Sequence, residues 1–199
     1  YNSGGNAAPN FASENVCAVC PKGKFTSEEG STSCNNCAAG TYLGDDGTSS
    51  SLHDGADDCI ICPAGTFSSA ASSAACTLCS SGTYLDDMGT TSVRHNSVSK
   101  CFICTAGKYN AHSGSKGCLA CNKGRYLSDN SANIDRHNDE NDCDICPNGQ
   151  YSDNIGSATC KNCQKGTFLS ENDPLAHDSK SDCTICPSGQ YSSSEASSN

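Results

Sequence analysis

The sequence predicts a small disulfide-rich repeat fold, an elongated rod of tandem cysteine-rich modules with short β-ladders and turns and little helix. Three observations carry that prediction. The chain has 199 residues and 18 cysteines, close to the density that marks a disulfide scaffold. All of the cysteines fall into Cys-x-x-Cys pairs that recur at alternating short and long intervals. Apolar side chains are scarce: the hydrophobic fraction is 35% with the cysteines counted, with no Trp and a single Met. Ordering each residue costs roughly 1–2 kcal/mol of backbone entropy. A core this thin does not offset that cost, so crosslinks must.

The pairs set the elements in order. They begin at Cys17, Cys34, Cys59, Cys76, Cys101, Cys118, Cys143, Cys160 and Cys183. A short step, as from Cys17 to Cys34, alternates with a long one, as from Cys34 to Cys59; the last long step, Cys160 to Cys183, is two residues shorter. The repeating unit therefore runs from Cys17 to the residue before Cys59 and holds one short and one long module. Residues 1–16 read as the tail of a long module, 17–58, 59–100, 101–142 and 143–182 as four repeats, and 183–199 as the beginning of a fifth.

The text after each pair repeats as well. Short modules open with Cys-Pro-Lys-Gly-Lys-Phe at 20–25 and Cys-Pro-Ala-Gly-Thr-Phe at 62–67, with like segments at 104–109, 146–151 and 186–191. Long modules open with Ala-Gly-Thr-Tyr-Leu at 39–43 and its counterparts at 81–85, 123–127 and 165–169. Nine of the 12 aromatics stand two residues after the glycine. Glycine supplies the positive φ of a tight turn, and proline pre-sets the turn before it. The ring is then expected to cover the nearby disulfide. A second apolar position, at Val19, Ile61, Ile103, Ile145 and Ile185, is expected to touch the neighbouring module. Ser31, Ser73, Ser115 and Ser157 each stand three residues before a closing cysteine. Stacking is expected to be solenoid-like, each module against its neighbours.

These residues resemble the ephrin-receptor-like cysteine-rich repeat, which is related to tumour necrosis factor receptor modules and the growth-factor-receptor cysteine-rich group. Residues 20–37, where Cys-Pro-Lys-Gly-Lys-Phe is followed by Gly-Ser-Thr-Ser-Cys-Asn-Asn-Cys, carry the resemblance most fully, and weaker copies extend over about 17–191. The long modules lack the extra internal cysteine pair that receptor modules of this type often carry, so ligand-binding habits are not carried over. The resemblance implies that the second cysteine of each pair bonds the first of the next. That gives Cys20–Cys34, Cys37–Cys59, Cys62–Cys76, Cys79–Cys101, Cys104–Cys118, Cys121–Cys143, Cys146–Cys160 and Cys163–Cys183. Each such bridge contributes roughly 3–3.5 kcal/mol in the chain-entropy account. Zinc held by paired Cys-x-x-Cys sites is the competing use of these residues. Four-cysteine sites consume pairs two at a time, however, and nine is odd. Redox chemistry of the thioredoxin kind needs a βαβ setting that the sequence lacks.

Sequential pairing leaves Cys17 and Cys186 over, and the short-module spacing places a partner for Cys186 one residue beyond the chain given. Two compatible expectations follow: flanking modules of a longer chain, or self-association head to tail, Cys186 of one copy bonding Cys17 of the next. A stacked repeat with open ends propagates into a fibre.

One further register involves histidine. His53, His95, His137 and His177 each lie six residues before the cysteine that opens the next short module, a place held by Phe11 at the start. Carboxylates surround them. Asp45, Asp46, Asp57, Asp58, Asp129, Asp139 and Asp142 are candidate calcium ligands, since calcium takes clustered oxygen donors. A pH-sensitive contact is a second use for the imidazoles. The structural alternative is that His and Asp satisfy loop backbone that has no sheet to pair with. No other cofactor is expected.

Charge and motif content exclude several function classes. Twelve Lys and Arg against 22 Asp and Glu give −10, without the basic footprint that nucleic acid requires. No apolar run approaches the roughly 18 residues of a membrane span. No Asn-x-Ser/Thr sequon occurs, while serine clusters at 49–51, 68–73 and 192–198 are candidate O-glycan sites. The sequence has no nucleophile elbow, phosphate-cradling glycine loop or His-Glu-x-x-His. The expected protein is extracellular or at the cell surface, non-enzymatic and structural: a stalk, surface fibre or filament subunit. A ligand-binding receptor or adhesin ectodomain is the alternative.

Overall fold

A computed structural model describes residues 17–198. Residues 1–16, with the partial long module and Phe11, lie outside the described residues. Eight disulfides run in tandem: Cys20–Cys34, Cys37–Cys59, Cys62–Cys76, Cys79–Cys101, Cys104–Cys118, Cys121–Cys143, Cys146–Cys160 and Cys163–Cys183. Cys17 and Cys186 are free thiols. Among the described residues the secondary structure consists of two-residue strands and short 3-10 turns, with no α-helix.

Each closed module is one miniature hairpin. Its first strand is the aromatic position with the residue before it, and its second is the pair of residues inside the next Cys-x-x-Cys. In the first short module Lys24 and Phe25 face Asn36 and Asn35; in the first long module Thr41 and Tyr42 face Ile61 and Ile60. A ladder of two residues is unstable alone in water. Here a disulfide ties the residue just before the second strand to the one four residues before the first, and holds the ladder closed. Long modules add two 3-10 turns between their strands, at Ser50–Leu52 and Ala56–Asp58 in the first.

Packing departs from the expectation that modules meet only their immediate neighbours. A Cβ on Gly40, in the first long module, would lie 2.0 Å from Ser92 O in the second long module. One on Gly23, in the first short module, would lie 2.1 Å from Ser72 O in the second short module. Long modules therefore stack on long and short on short, and the chain is a solenoid whose every coil carries one of each. Both glycines have φ above +70° and the next coil's backbone against them, so no other residue fits.

Backbone hydrogen bonds stitch the modules at fixed places, the first of the following three within a coil and the other two between coils. Gly65 N–H donates to Leu85 O, Leu85 N–H to Ser115 O, and Gly82 N–H to Asn110 O, at 2.7–3.1 Å. The same three bonds recur from Gly107, Leu127 and Gly124. The serine before the closing cysteine thus accepts through its carbonyl, while its hydroxyl donates to the carbonyl three residues earlier at 2.7–3.1 Å.

The core is a chain of small clusters. Phe67 packs with Leu85 and the Cys79–Cys101 bridge; Tyr109 with Leu127 and Cys121–Cys143; Tyr151 with Leu169 and Cys163–Cys183. A short module's ring therefore covers the disulfide of the long module that follows, not its own. The leucine after each long-module aromatic is buried in every coil (Leu43, Leu85, Leu127 and Leu169), and sequence reasoning gave it no role. The apolar residue inside the pair has a place in its own hairpin as well as the expected one against a neighbour, since Ile61 Cγ2 would lie 3.9 Å from a Cβ on Gly89 of the next long module. Ile61, Ile103, Ile145 and Ile185 are ladder partners of Thr41, Thr83, Arg125 and Thr167 in their own hairpins.

Candidate functional site: the buried histidine catch

The four histidines of the repeat are the largest polar side chains in the core, each at most 2% exposed. Each closes a first 3-10 turn and points back into the preceding short module. His53 Nδ1 lies 2.7 Å from Lys24 O, His95 Nδ1 2.8 Å from Thr66 O, His137 Nδ1 2.7 Å from Lys108 O and His177 Nδ1 2.7 Å from Gln150 O. The carbonyl reached is always that of the residue before the short-module aromatic. In return, each histidine's own carbonyl accepts from the residue after that aromatic: Thr26, Ser68, Asn110 and Ser152 donate at 2.7–2.9 Å. Ring and main chain together clamp the long loop to the short hairpin.

The other ring nitrogen distinguishes the coils. His53, His95 and His137 place Nε2 at 3.0, 2.8 and 3.0 Å from Oδ2 of Asp45, Asp87 and Asp129. His177 places Nε2 2.7 Å from Glu171 O, a backbone carbonyl. Both ring nitrogens of each histidine thus face an oxygen acceptor. The paired aspartate stands eight residues before its histidine, a spacing visible in the sequence that the calcium reading left unconnected.

The aspartates are themselves held. Asp45 accepts from Thr48 Oγ1 at 2.7 Å and Thr48 N–H at 3.0 Å. Those bonds, led by the hydroxyl and joined by His53, bring its carboxyl down to about 2. Asp87 is lowered in the same manner by the Thr90 hydroxyl, then by His95 and Thr90 N–H. Asp129 has no such hydroxyl; Asn133 N–H lowers it most, helped by His137 and Ala132 N–H.

The remaining calcium candidates are dispersed. Asp46 lies 3.4 Å from Lys22 Nζ. Asp58 Oδ2 accepts Gly55 N–H at 2.9 Å and Asp142 Oδ2 accepts Asp139 N–H at 2.9 Å, each bracing a second 3-10 turn. Asp139 Oδ1 accepts from Asn141 N–H at 2.8 Å, and Asp57 is exposed. Among the described residues no three His, Cys, Asp or Glu side chains converge as a metal site. Of the serine clusters, 68–73 is partly used internally: Ser68 is buried and bonds Ser73.

Comparison with known families agrees with this architecture. The family model for tyrosine-protein kinase ephrin type A/B receptor-like repeats matches residues 10–53, 47–95 and 136–173, more than half of the chain. The chain belongs to the ephrin-receptor-like family. No curated protein matches it. The first two matched stretches each span a short and a long module and contain the clamp between them, Lys24 with His53 and Thr66 with His95. Among the described residues no helix is long and apolar enough to cross a membrane.

Proposed function

We propose that the chain is an extracellular, non-enzymatic structural rod, acting as a stalk, surface fibre or filament subunit. The observation that supports this reading is the covalent path through the bridges. Between one disulfide and the next lie only the two residues inside a Cys-x-x-Cys pair. Tension therefore runs along sulfur bridges and short peptide links, while the 14- and 22-residue loops carry none of it. From Cys20 to Cys183 the bridged chain can stretch to about 120 Å, against about 550 Å once reduced. Force–extension curves with and without reductant test this. Extension well beyond the shorter length in oxidising buffer would overturn the mechanical role.

Elongation through Cys17 and Cys186, to flanking modules or to a second copy, is part of the same proposal. Tyr191, in the register of Phe67, is 86% exposed, and Gly166 and Gly189 hold φ of +81° and +87° with nothing against them. Native material is expected to run as covalent multimers without reductant and as single chains with it. A monomer with free thiols at both positions refutes the covalent head-to-tail link. O-glycans would attach at exposed serines such as Ser50 and Ser51.

The alternative reading, a receptor or adhesin ectodomain, draws support from one observation. The second long module departs from its siblings in charge and in exposed apolar side chains, among them Met88, Val93 and Val98.

A further inference from the structure

The first two long modules share a shallow depression beside the ladder, and its chemistry inverts between them. In the first coil it is a cavity of about 420 Å³ whose lining includes Leu43, Leu52, Asp57, Asp58 and Ile60. In the second it is about 190 Å³, lined by Leu85, Arg94, Lys100 and Phe102. These are the same register positions one repeat further along: Leu52 becomes Arg94, Asp58 becomes Lys100 and Ile60 becomes Phe102. One depression is acidic, with Tyr42 beside its aliphatic residues; the other is cationic, with Phe102.

Both keep apolar surface exposed, and most of their charges lack an ion partner among the described residues. Leu52, Ile60 and Phe102 are 46%, 53% and 47% exposed, although each lines a concavity. Arg94 is half exposed and reaches Asp87 only at 3.7 Å. Lys100 has no ion partner among the described residues, and neither has Asp57 or Asp58. The third coil shows the neutralised form: Arg136 and Asp144, in the registers of Arg94 and Phe102, bond each other at 3.0 Å. Long modules stack directly, Gly40 against Ser92, so the two unlike depressions belong to adjacent units of one stack.

We propose that two copies of the chain pair side by side and antiparallel, the acidic depression of each receiving the cationic one of the other. A two-fold axis between the first and second long modules makes both contacts at once, which is the self-complementarity an isologous interface needs. Leu52 and Ile60 then cover Phe102, and Asp57 and Asp58 meet Arg94 and Lys100. Steering by opposite charge gives the pair its register and its salt dependence. The pairing is independent of Cys17 and Cys186.

Sedimentation velocity on the full chain carrying Cys17→Ser and Cys186→Ser isolates it from disulfide-linked multimers. The expected result is a monomer–dimer equilibrium that weakens with salt. Arg94→Glu with Lys100→Glu is expected to raise Kd at least tenfold. Adding Asp57→Lys to that variant, with Asp58 left in place to brace its turn, is expected to restore part of the affinity. Phe102→Ser supplies a charge-neutral check, and an unchanged non-reducing disulfide map shows that each variant is folded. A chain that stays monomeric up to about 1 mM overturns the proposal. So does a dimer indifferent to the charge reversals.

Discussion

The second and fourth long modules bury the same imidazole with different acceptors. His95 and His177 are both fully inaccessible, and both fix the long loop to the preceding short hairpin through Nδ1. In the second module the residue two places after the buried leucine is Asp87, whose carboxylate takes Nε2–H. In the fourth that register holds Glu171, and it is the main-chain oxygen that accepts. The disulfide loop there spans 20 residues instead of 22, and the two missing residues fall between Leu169 and His177. Shortening the loop brings backbone to where a side chain otherwise reaches. What the fold requires is a pair of acceptors around the ring; the carboxylate is one way to supply the second.

The largest effect separates that requirement from simple filling of space. His95→Leu and His177→Leu keep much of the volume but strand a buried carbonyl, at Thr66 or Gln150. An unmet buried polar group costs about 1–3 kcal/mol, with the lost hydrogen bonds added. Amide exchange at Ser68 and Ser152, which donate to the two histidine carbonyls, should accelerate at least tenfold in the respective variants. Equal losses in the two coils support the acceptor-pair account. A loss confined to His95 would make the aspartate the essential element.

A second difference between the modules concerns what lies on their turn glycines. Gly82 has φ of +78° and Ile134 O where its Cβ would be, at 2.7 Å; Gly166 has φ of +81° and open space. Gly166→Ala should cost only the left-handed strain, about 1–2 kcal/mol. Gly82→Ala should cost that and about 1–3 kcal/mol more, because the next coil must move. Thermal melts of the two variants, with disulfides intact, give the ranking. Equal destabilisation would mean that coils do not bear on one another through the glycine.

Much of this was readable from spacing. The alternation of short and long steps between cysteine pairs, with one aromatic in each module, predicted turns and short β-ladders, because the motif repeats the local chemistry of a turn. The histidine register was equally visible. Its partners were less so, because Lys24 and Thr66 contribute a carbonyl, which any residue has. Long-on-long stacking was hidden for a similar reason: Gly40 meets Ser92 through backbone, and the glycine reads equally well as an ordinary turn residue. Leu43 and its counterparts were legible as a repeated letter, yet their burial depends on rings and bridges contributed by other modules.

The smallest effect exploits the titratable acceptor. Asp45, Asp87 and Asp129 all ionise more readily than ordinary carboxyls, Asp45 at about 2 against 3.8. A depressed carboxyl stabilises the fold above its ordinary range, and that contribution is lost as pH falls through the lowered value. For Asp45 the window runs from about 4 down to about 2. The first three catches should therefore loosen on strong acidification, while the fourth, whose acceptor is Glu171 O, has nothing to protonate at that bond. Ring N–H signals followed by nuclear magnetic resonance from pH 5 to pH 1.5 distinguish the four. Those of His53, His95 and His137 should shift and exchange faster at the acid end, and that of His177 should hold. If all four move together, the loosening does not come from the aspartate acceptors.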